Sequence, residues 1–432
     1  MGISTGRRYQ MRQDVRLTSC VATVAVIAIV AFALPMPLTG PSAAVPEAVP
    51  QDDAASALEA GERLPPRPER TAEERSRLAA ELREVYSGPA DRWPTPHVDS
   101  DVAWKEIGAL PLIEHPSTNP HSAAKELLGK TLFFDPRLSG SGQIACASCH
   151  DPDLGWADGR TTSFGHSRKM LARNAPSIRN TAFQKHLFWD GRAASLEDQA
   201  MQVLMNPDEM RSGSKQVVTL LESQPDYRTL YREAFGDAPI SLERAADALA
   251  CFQRTVVGGS SRFDSFVKGH PAALTDEALL GMDLYRRDAR CINCHHGSAF
   301  SDGNFHDIGL SNYGRPFEDL GRGSVTGSPT DTGKFRTPSL RDATATAPLM
   351  HNGLFELPVV LTLYNVGMPT PKRKQSQQGD PRFPVKSPHL KPLGLNKQDL
   401  ADLAAFLVSL EEPKRRVRPP TLPGLPGLNA QR

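Results

Sequence analysis

The sequence predicts a mainly α-helical protein built as two domains in tandem. Apolar residues recur at helical spacing in several segments, while strand signals are sparse. A Cys-x-x-Cys-His set occurs twice, at Cys146, Cys149 and His150 and again at Cys291, Cys294 and His295. With 432 residues, 39% of them hydrophobic and 23% charged, the chain can bury two cores.

The elements follow in order. Arg7, Arg8, Arg12 and Arg16 precede the apolar run "CVATVAVIAIVAFALPMPL", and Ser42 and Ala44 supply a small-x-small step, so residues 1–44 read as a secretory signal. The run is long enough that an uncleaved membrane anchor is the alternative. Cys20 sits in a mimic of a lipoprotein acylation box, but the apolar run follows it instead of preceding it. Residues 45–100 read as a linker, a Pro-, Ala- and Glu-rich tether followed by one helix, "TAEERSRLAAELREVY", with Leu78, Leu82 and Val85 on one face.

The first domain is expected over residues 101–270 and the second over 271–412. "SAAKELLGKTLFFD" and "TDEALLGMDLYRRDARC" read as helices leading into the two cysteine sets. Ser195 and Asp198 form a capping signature that opens a helix, which Pro207 stops after Asn206. Cys251, alone in the helical "LERAADALACFQRTV", reads as an inert buried thiol. "LNKQDLADLAAFLVSL" closes the second domain, with Leu400, Leu403, Leu407 and Leu410 in register. The Pro-rich residues 413–432 read as a disordered tail, and no repeat is expected apart from the duplicated cysteine unit.

Three chemistries use two cysteines at this spacing. A zinc ribbon would bring two knuckles together across roughly 15–20 residues, whereas most of a domain separates these. A thioredoxin-type disulfide needs neither the histidine nor a second copy. In c-type haem attachment both thiols bond the haem vinyl groups and the following histidine becomes an axial iron ligand. Covalent haem alone explains both histidines, and attachment outside the cytoplasm agrees with an exported chain. Two tandem cytochrome c-like haem domains are therefore expected, each with a helix before its motif. The net charge of +1 gives no case for nucleic acid as a partner.

Between the two motifs, "FWDGRAASLEDQAMQVLMNPDEM" carries Gln199 on the capped helix and Glu209 in the turn beyond it. Peroxide cleavage needs a group that takes a proton from one oxygen and returns it to the other, which suits a carboxylate in a dry pocket. Glu209 is the candidate.

From "LFFDPRLSGSGQIACASCH" through "RNAPSIRN", "FWDGRAASLEDQA", "NPDEM", "CINCHHG" and "KFRTPSLRDATATAPLMHNG", the chain resembles the bacterial di-haem cytochrome c peroxidases. That family includes the related di-haem enzyme that matures methylamine dehydrogenase by oxidising its tryptophans. The resemblance implies that His150 binds the peroxidatic haem, with Glu209 and Gln199 as its acid–base and orienting pair. It implies Trp189 as the electron route between haems and His166 as a removable sixth iron ligand. It also implies a calcium ion held by Asn174 and by the carbonyls of Thr346 and Pro348, an all-oxygen set that suits a hard cation.

At the second haem His295 is the implied proximal ligand. The sixth ligand is a methionine in the peroxidases and a tyrosine in the tryptophan-oxidising relative, a fixed step after "HNG". That step is one residue shorter here, which leaves Tyr364 as the nearer candidate and Met368 as the alternative. His351 is expected to hydrogen-bond in a haem pocket and His296 to neighbour the true ligand.

The implied enzyme is a periplasmic oxidoreductase that reduces hydrogen peroxide with electrons from a small cytochrome c or a cupredoxin. The alternative is peroxide-dependent oxidation of residues in a partner protein. A homodimer is the expected assembly, and Lys372, Arg373 and Lys374 are candidates for steering an acidic partner.

Overall fold

Residues 64–425 are described by a computed structural model; the expected signal segment with Cys20, most of the tether and residues 426–432 lie outside the described residues. The first helix, α1 (Ala72–Val85), begins at Thr71, whose hydroxyl accepts from the Glu74 N–H at 3.2 Å. The Glu74 carboxylate in turn accepts from the Thr71 N–H at 2.8 Å, which completes a capping box. Its buried face runs through Ala79, Leu82 and Tyr86, while Val85 is 45% exposed. The face expected from Leu78, Leu82 and Val85 is thus rotated, because the packing partner meets the Ala79 side.

Ser122 caps α2 (Ala123–Phe134) through the Lys125 N–H. Ser195 caps α3 (Leu196–Met205) through the Asp198 N–H at 3.1 Å, and Asn206 ends that helix ahead of Pro207, as expected. There follow α4 (Ser214–Ser223), α5 (Pro225–Phe235), α6 (Leu242–Thr255), α7 (Arg262–Val267), α8 (Asp276–Arg286), the single turn α9 (Gly323–Thr326), α10 (Leu357–Asn365) and α11 (Lys397–Val408). Among the described residues the only sheet pairs β1 (Phe305–Asp307) antiparallel with β2 (Lys334–Arg336), Phe305 opposite Arg336. The protein is mostly helical, as the sequence predicts.

Among the described residues the two large hydrophobic cores form one beside each cysteine set, with a small third cluster of Leu187, Ala193, Leu196 and Ala250. The first gathers Leu128, Leu132, Phe133, Trp156, Leu249 and Phe252, and the second Leu279, Met282, Tyr285, Phe300, Leu403 and Phe406. Each depends on a helix crossing made at a glycine. A Cβ on Gly129 of α2 would stand 1.9 Å from the Ala248 carbonyl oxygen of α6, beside Phe252. A Cβ on Gly281 of α8 would stand 1.9 Å from the Asp402 carbonyl oxygen of α11, beside Phe406. Only a residue without a side chain allows either pair of backbones to touch.

Core membership departs from the expected 270/271 boundary. The "linker" helix α1, with Trp93 and Ile107, packs in the second core, and so do Phe263 and Phe266 of α7. Arg75 holds Asp402 of α11 through two hydrogen bonds of 2.7 and 2.8 Å, and Arg67 donates to Asp399 at 2.6 Å. Residues 413–425, expected to be disordered, run without helix or strand against the first core. There Val417 packs, and the Pro423 carbonyl accepts from Arg137 at 2.8 Å. Cys251 is fully buried.

Overpacking a helix crossing costs about 1–3 kcal/mol. Gly129→Val and Gly281→Val should each lower the thermal midpoint of the haem-loaded protein, read by circular dichroism. An unchanged midpoint would mean the helices do not meet at these positions.

Candidate functional site

Both cysteine sets fold the same way. Cys146–Ser148 and Cys291–Asn293 are single 3-10 turns, and the histidine after each accepts its place through an N–H bond to the first cysteine's carbonyl, 3.0 Å for His150 and 2.9 Å for His295. His150 Nδ1 lies 3.1 Å from the Trp156 carbonyl oxygen, and His295 Nδ1 lies 3.0 Å from that of Phe300. A carbonyl only accepts, so Nδ1 carries the proton and Nε2 keeps a free lone pair, the state an iron ligand requires.

Trp156 and Phe300 reach back because both adopt left-handed backbone, with φ of 66° and 53°. For a bulky residue that conformation costs on the order of 1–3 kcal/mol, so the surroundings must hold it. They do so in duplicate. The Ser177 hydroxyl donates to the Gly155 carbonyl at 2.6 Å, and the Ser339 hydroxyl to the Ala299 carbonyl at 2.7 Å, each one residue before the left-handed aromatic. The carbonyls of Pro176 and Pro338 also act on the two rings. Burial pushes both imidazoles below their ordinary value, partly offset by these carbonyls. Asn174-Ala-Pro-Ser-Ile-Arg179 and Arg336-Thr-Pro-Ser-Leu-Arg341 are therefore a second repeated element, which corrects the expectation of none beyond the cysteine unit.

The donor set fits two haems: paired thiols and a histidine with a free Nε2, twice over. Cys294 also lies with Asp302 and His306, their ligand atoms within 4.8 Å of one another, but such a metal cluster would leave Cys291 and His295 without a task.

Around His150, the turn after α3 presents Glu209. Asn206 Nδ2 donates to its carboxylate at 3.0 Å, and Arg192 stands 3.9 Å away. Its side chain is 21% exposed, and burial pushes its pKa above the ordinary value against the pull of Arg192 and Asn206. Gln199 is half-buried on α3, seven residues before Asn206 and so on the same helix face. The His166 loop is tied to this turn, since the His166 N–H donates to the Asp208 carbonyl at 2.9 Å and Lys169 pairs with Asp208 at 2.7 Å. His166 Nδ1 is buried without a hydrogen-bond partner among the described residues.

Trp189 is held from both halves. Its indole N–H donates to the Asn174 carbonyl at 3.0 Å, and its own carbonyl accepts from the Arg336 N–H at 2.8 Å. His351, 6.3 Å from the indole, stacks on Phe335 at 3.6 Å and is pushed down to about 4 by burial. Asn174 donates through Nδ2 to the Arg160 carbonyl at 2.8 Å, which leaves its amide oxygen for a cation. Thr346 packs against Gly155, so it borders the same turn as the Pro176 element, with Pro348 two residues on.

Tyr364 sits on α10, and burial together with Cys294 and Cys291 pushes its phenol up, so it faces the second cysteine pair. Met368 lies beyond that helix, 3% exposed and in left-handed backbone. His296 is buried beside His295. The sequence reading missed Trp156, Phe300 and the two serines, although the Pro-Ser-Ile/Leu-Arg repeat was there to be found.

The family model described as "Di-haem cytochrome c peroxidase" matches residues 123–272. The chain is 40% identical over 336 residues to the methylamine utilization protein MauG of Methylorubrum extorquens, covering 75% of this chain and 90% of that protein. The chain belongs to the di-haem cytochrome c peroxidase family. It is also 36% identical to the cytochrome-c peroxidase IdrP1 of Denitromonas iodatirespirans, covering 75% and 91%. A crystal structure of a MauG-like protein associated with microbial copper homeostasis superposes with a TM-score of 0.64 at 33% identity, over 73% of this chain and 96% of that one. The di-haem peroxidase BthA of Burkholderia thailandensis shares the fold, with a TM-score of 0.58 at 23% identity over 74% and 95%. Membership in this di-haem peroxidase family makes the chain an oxidoreductase with two haems. Intact mass should show two covalent haems on the purified protein, and the double substitution Cys146→Ala, Cys149→Ala should leave one; retention of both would move the attachment site elsewhere.

Proposed function

We propose that the chain is a periplasmic peroxidase that reduces hydrogen peroxide to water with electrons from a small redox protein. The proposed arrangement is two tandem haem c domains, peroxidatic at His150 and electron-transferring at His295. The observation that carries this reading is the Glu209 carboxylate, half-buried in a turn that Asn206 and the His166 loop hold in place. When bound, haem supplies the iron and electrons with which the O–O bond of peroxide is cleaved.

Glu209 takes the proton from one peroxide oxygen and hands it to the leaving one. Gln199, on the helix face shared with Asn206, offers an amide to orient the substrate. Trp189 is the proposed electron route, supported by its contacts to both halves. His166 is the proposed removable ligand, supported by its orphaned Nδ1 and its tie to the Glu209 turn. Asn174, Thr346 and Pro348 remain the proposed calcium ligands, and a homodimer the proposed assembly. Arg373 and Lys374 are spent on the carbonyls of Gln377, Asp380 and Gly314, so that loop supports an acidic partner less than its charge suggests.

The second reading is oxidation of residues in a partner protein. The nearness of Tyr364 to Cys291 and Cys294 favours it, since an anionic oxygen ligand stabilises ferric iron whereas methionine raises the potential.

As a proton acceptor Glu209 works in its ionised form, so turnover should rise as pH rises through a pKa lying above the ordinary carboxylate range. Glu209→Gln should lower turnover by about two to four orders of magnitude and abolish that acid limb, with both haems retained. Unchanged turnover would reduce Glu209 to a turn residue. The two functions separate at the second haem. If Tyr364→Phe alters its absorption spectrum and Met368→Leu does not, partner oxidation is favoured; the reverse result favours a peroxidase fed by a small cytochrome.

A further inference from the structure

Arg336 is 4% exposed, yet among the described residues no carboxylate pairs with it. Among the described residues its Nε and Nη1 donate only to the backbone carbonyls of Phe188 and Thr337, each at 3.2 Å, and its Nη2 has no hydrogen-bond partner. Other buried arginines are matched. Arg341 grips Asp264 with two bonds of 3.0 Å, Arg254 grips Glu197 at 2.6 and 3.0 Å, and Arg286 pairs with Glu106. An unmatched guanidinium in the interior is strongly unfavourable unless an anion joins it. Burial with nothing to oppose it pulls Arg336 down to about 10, the mark of a missing counter-charge.

The surroundings say which anion. Arg336 lies at the start of the element that runs through Thr337 to Pro338, whose carbonyl acts on the His295 ring. The Thr337 carbonyl also accepts from Ser301, on the loop after His295, at 2.7 Å. The Arg336 N–H meets the Trp189 carbonyl. In the repeated element of the first half the matching residue is Asn174, an uncharged side chain.

We propose that Arg336 binds a carboxylate carried by the haem on the His295 side, a propionate, and that its fixed positive charge raises the reduction potential of that haem beside Trp189. This rests on haem being attached at Cys291 and Cys294, so haem content is measured first. Arg336 is a positioning and tuning residue: its charge favours the reduced iron, which carries one positive charge fewer. The first half lacks a built-in cation at the equivalent place, so the two haems experience different fields even where their proximal turns coincide.

Intact mass first establishes two haems in the native protein and its variants, and spectroelectrochemical titration then gives the potential of each haem across a pH series. In Arg336→Gln the potential of the His295 haem should fall, with a smaller change at the other. In Arg336→Lys it should stay close to native at neutral pH and fall in the alkaline range as the buried lysine loses its proton. Native potentials in a fully loaded Arg336→Gln protein, or a shift confined to the His150 haem, would overturn the proposal. If Arg336→Gln does not retain the second haem, Arg336→Lys decides: an alkaline fall beyond that of the native protein supports the proposal, and a native pH profile overturns it. A native protein that carries fewer than two haems would point instead to failure of the attachment premise.

Discussion

The histidine of each cysteine set is aimed by a hydrogen bond from Nδ1 to the carbonyl of an aromatic residue held in left-handed backbone. That bond sets which nitrogen keeps its lone pair and in which direction it points. The rest of each half can be read as support for it. A serine hydroxyl restrains the preceding carbonyl, a proline carbonyl reaches the same ring, and the aromatic side chain is locked into the core that the glycine crossing closes. A polar instruction at the metal is thereby enforced by apolar packing several residues away.

The two halves are alike at their histidines and unlike at their meeting place. Trp189 takes a bond from each half, and around it Arg173 spans Asp190 and Asp319 at 2.6 and 2.7 Å. Arg322 donates to the carbonyls of Asp190 and Gly191 at 3.1 and 2.9 Å. Arg173, Arg322 and Arg336 thus meet the segment 188–191 against the two carboxylates of Asp190 and Asp319, a balance that leaves room for anionic cofactor groups at the junction. Asymmetry in charge, built on symmetry in backbone, is a simple physical route to giving two similar haems different work.

Much of this was legible in the sequence, for identifiable reasons. The cysteine sets are short-range and chemically specific. Ser195 with Asp198 announces a helix start because a cap acts within three residues. The rotated face of α1 was not legible, since a helix with Leu78, Leu82 and Val85 available buries whichever side its partner meets. Nor were the true limits of the cores, which depend on contacts such as Arg75 with Asp402, distant in sequence. The left-handed aromatics carry no signal of their own: Trp and Phe are ordinary core residues until a serine from another segment fixes the carbonyl before them. Tyr364 and Met368 straddle a helix end, where a one-residue change of spacing alters which side chain faces the pocket.

The packing of α1 also bears on the order in which the chain can fold. During synthesis α1 emerges first among the described helices, but the helices it rests on, α8 and α11, emerge after the whole first half. The buried residues of the first core have all been made by Val256, with Val417 of the tail added last, whereas the second core must wait for α11. Contacts so widely separated along a chain are slow to form, because a long loop must close before they return any stability. Until α8 is made, the apolar face of α1 has only nearby residues such as Trp93 beside it, and the half-made chain carries a surface that a neighbouring copy or a chaperone could occupy. Placing the first helix in the last core makes completion of the molecule depend on its final helix.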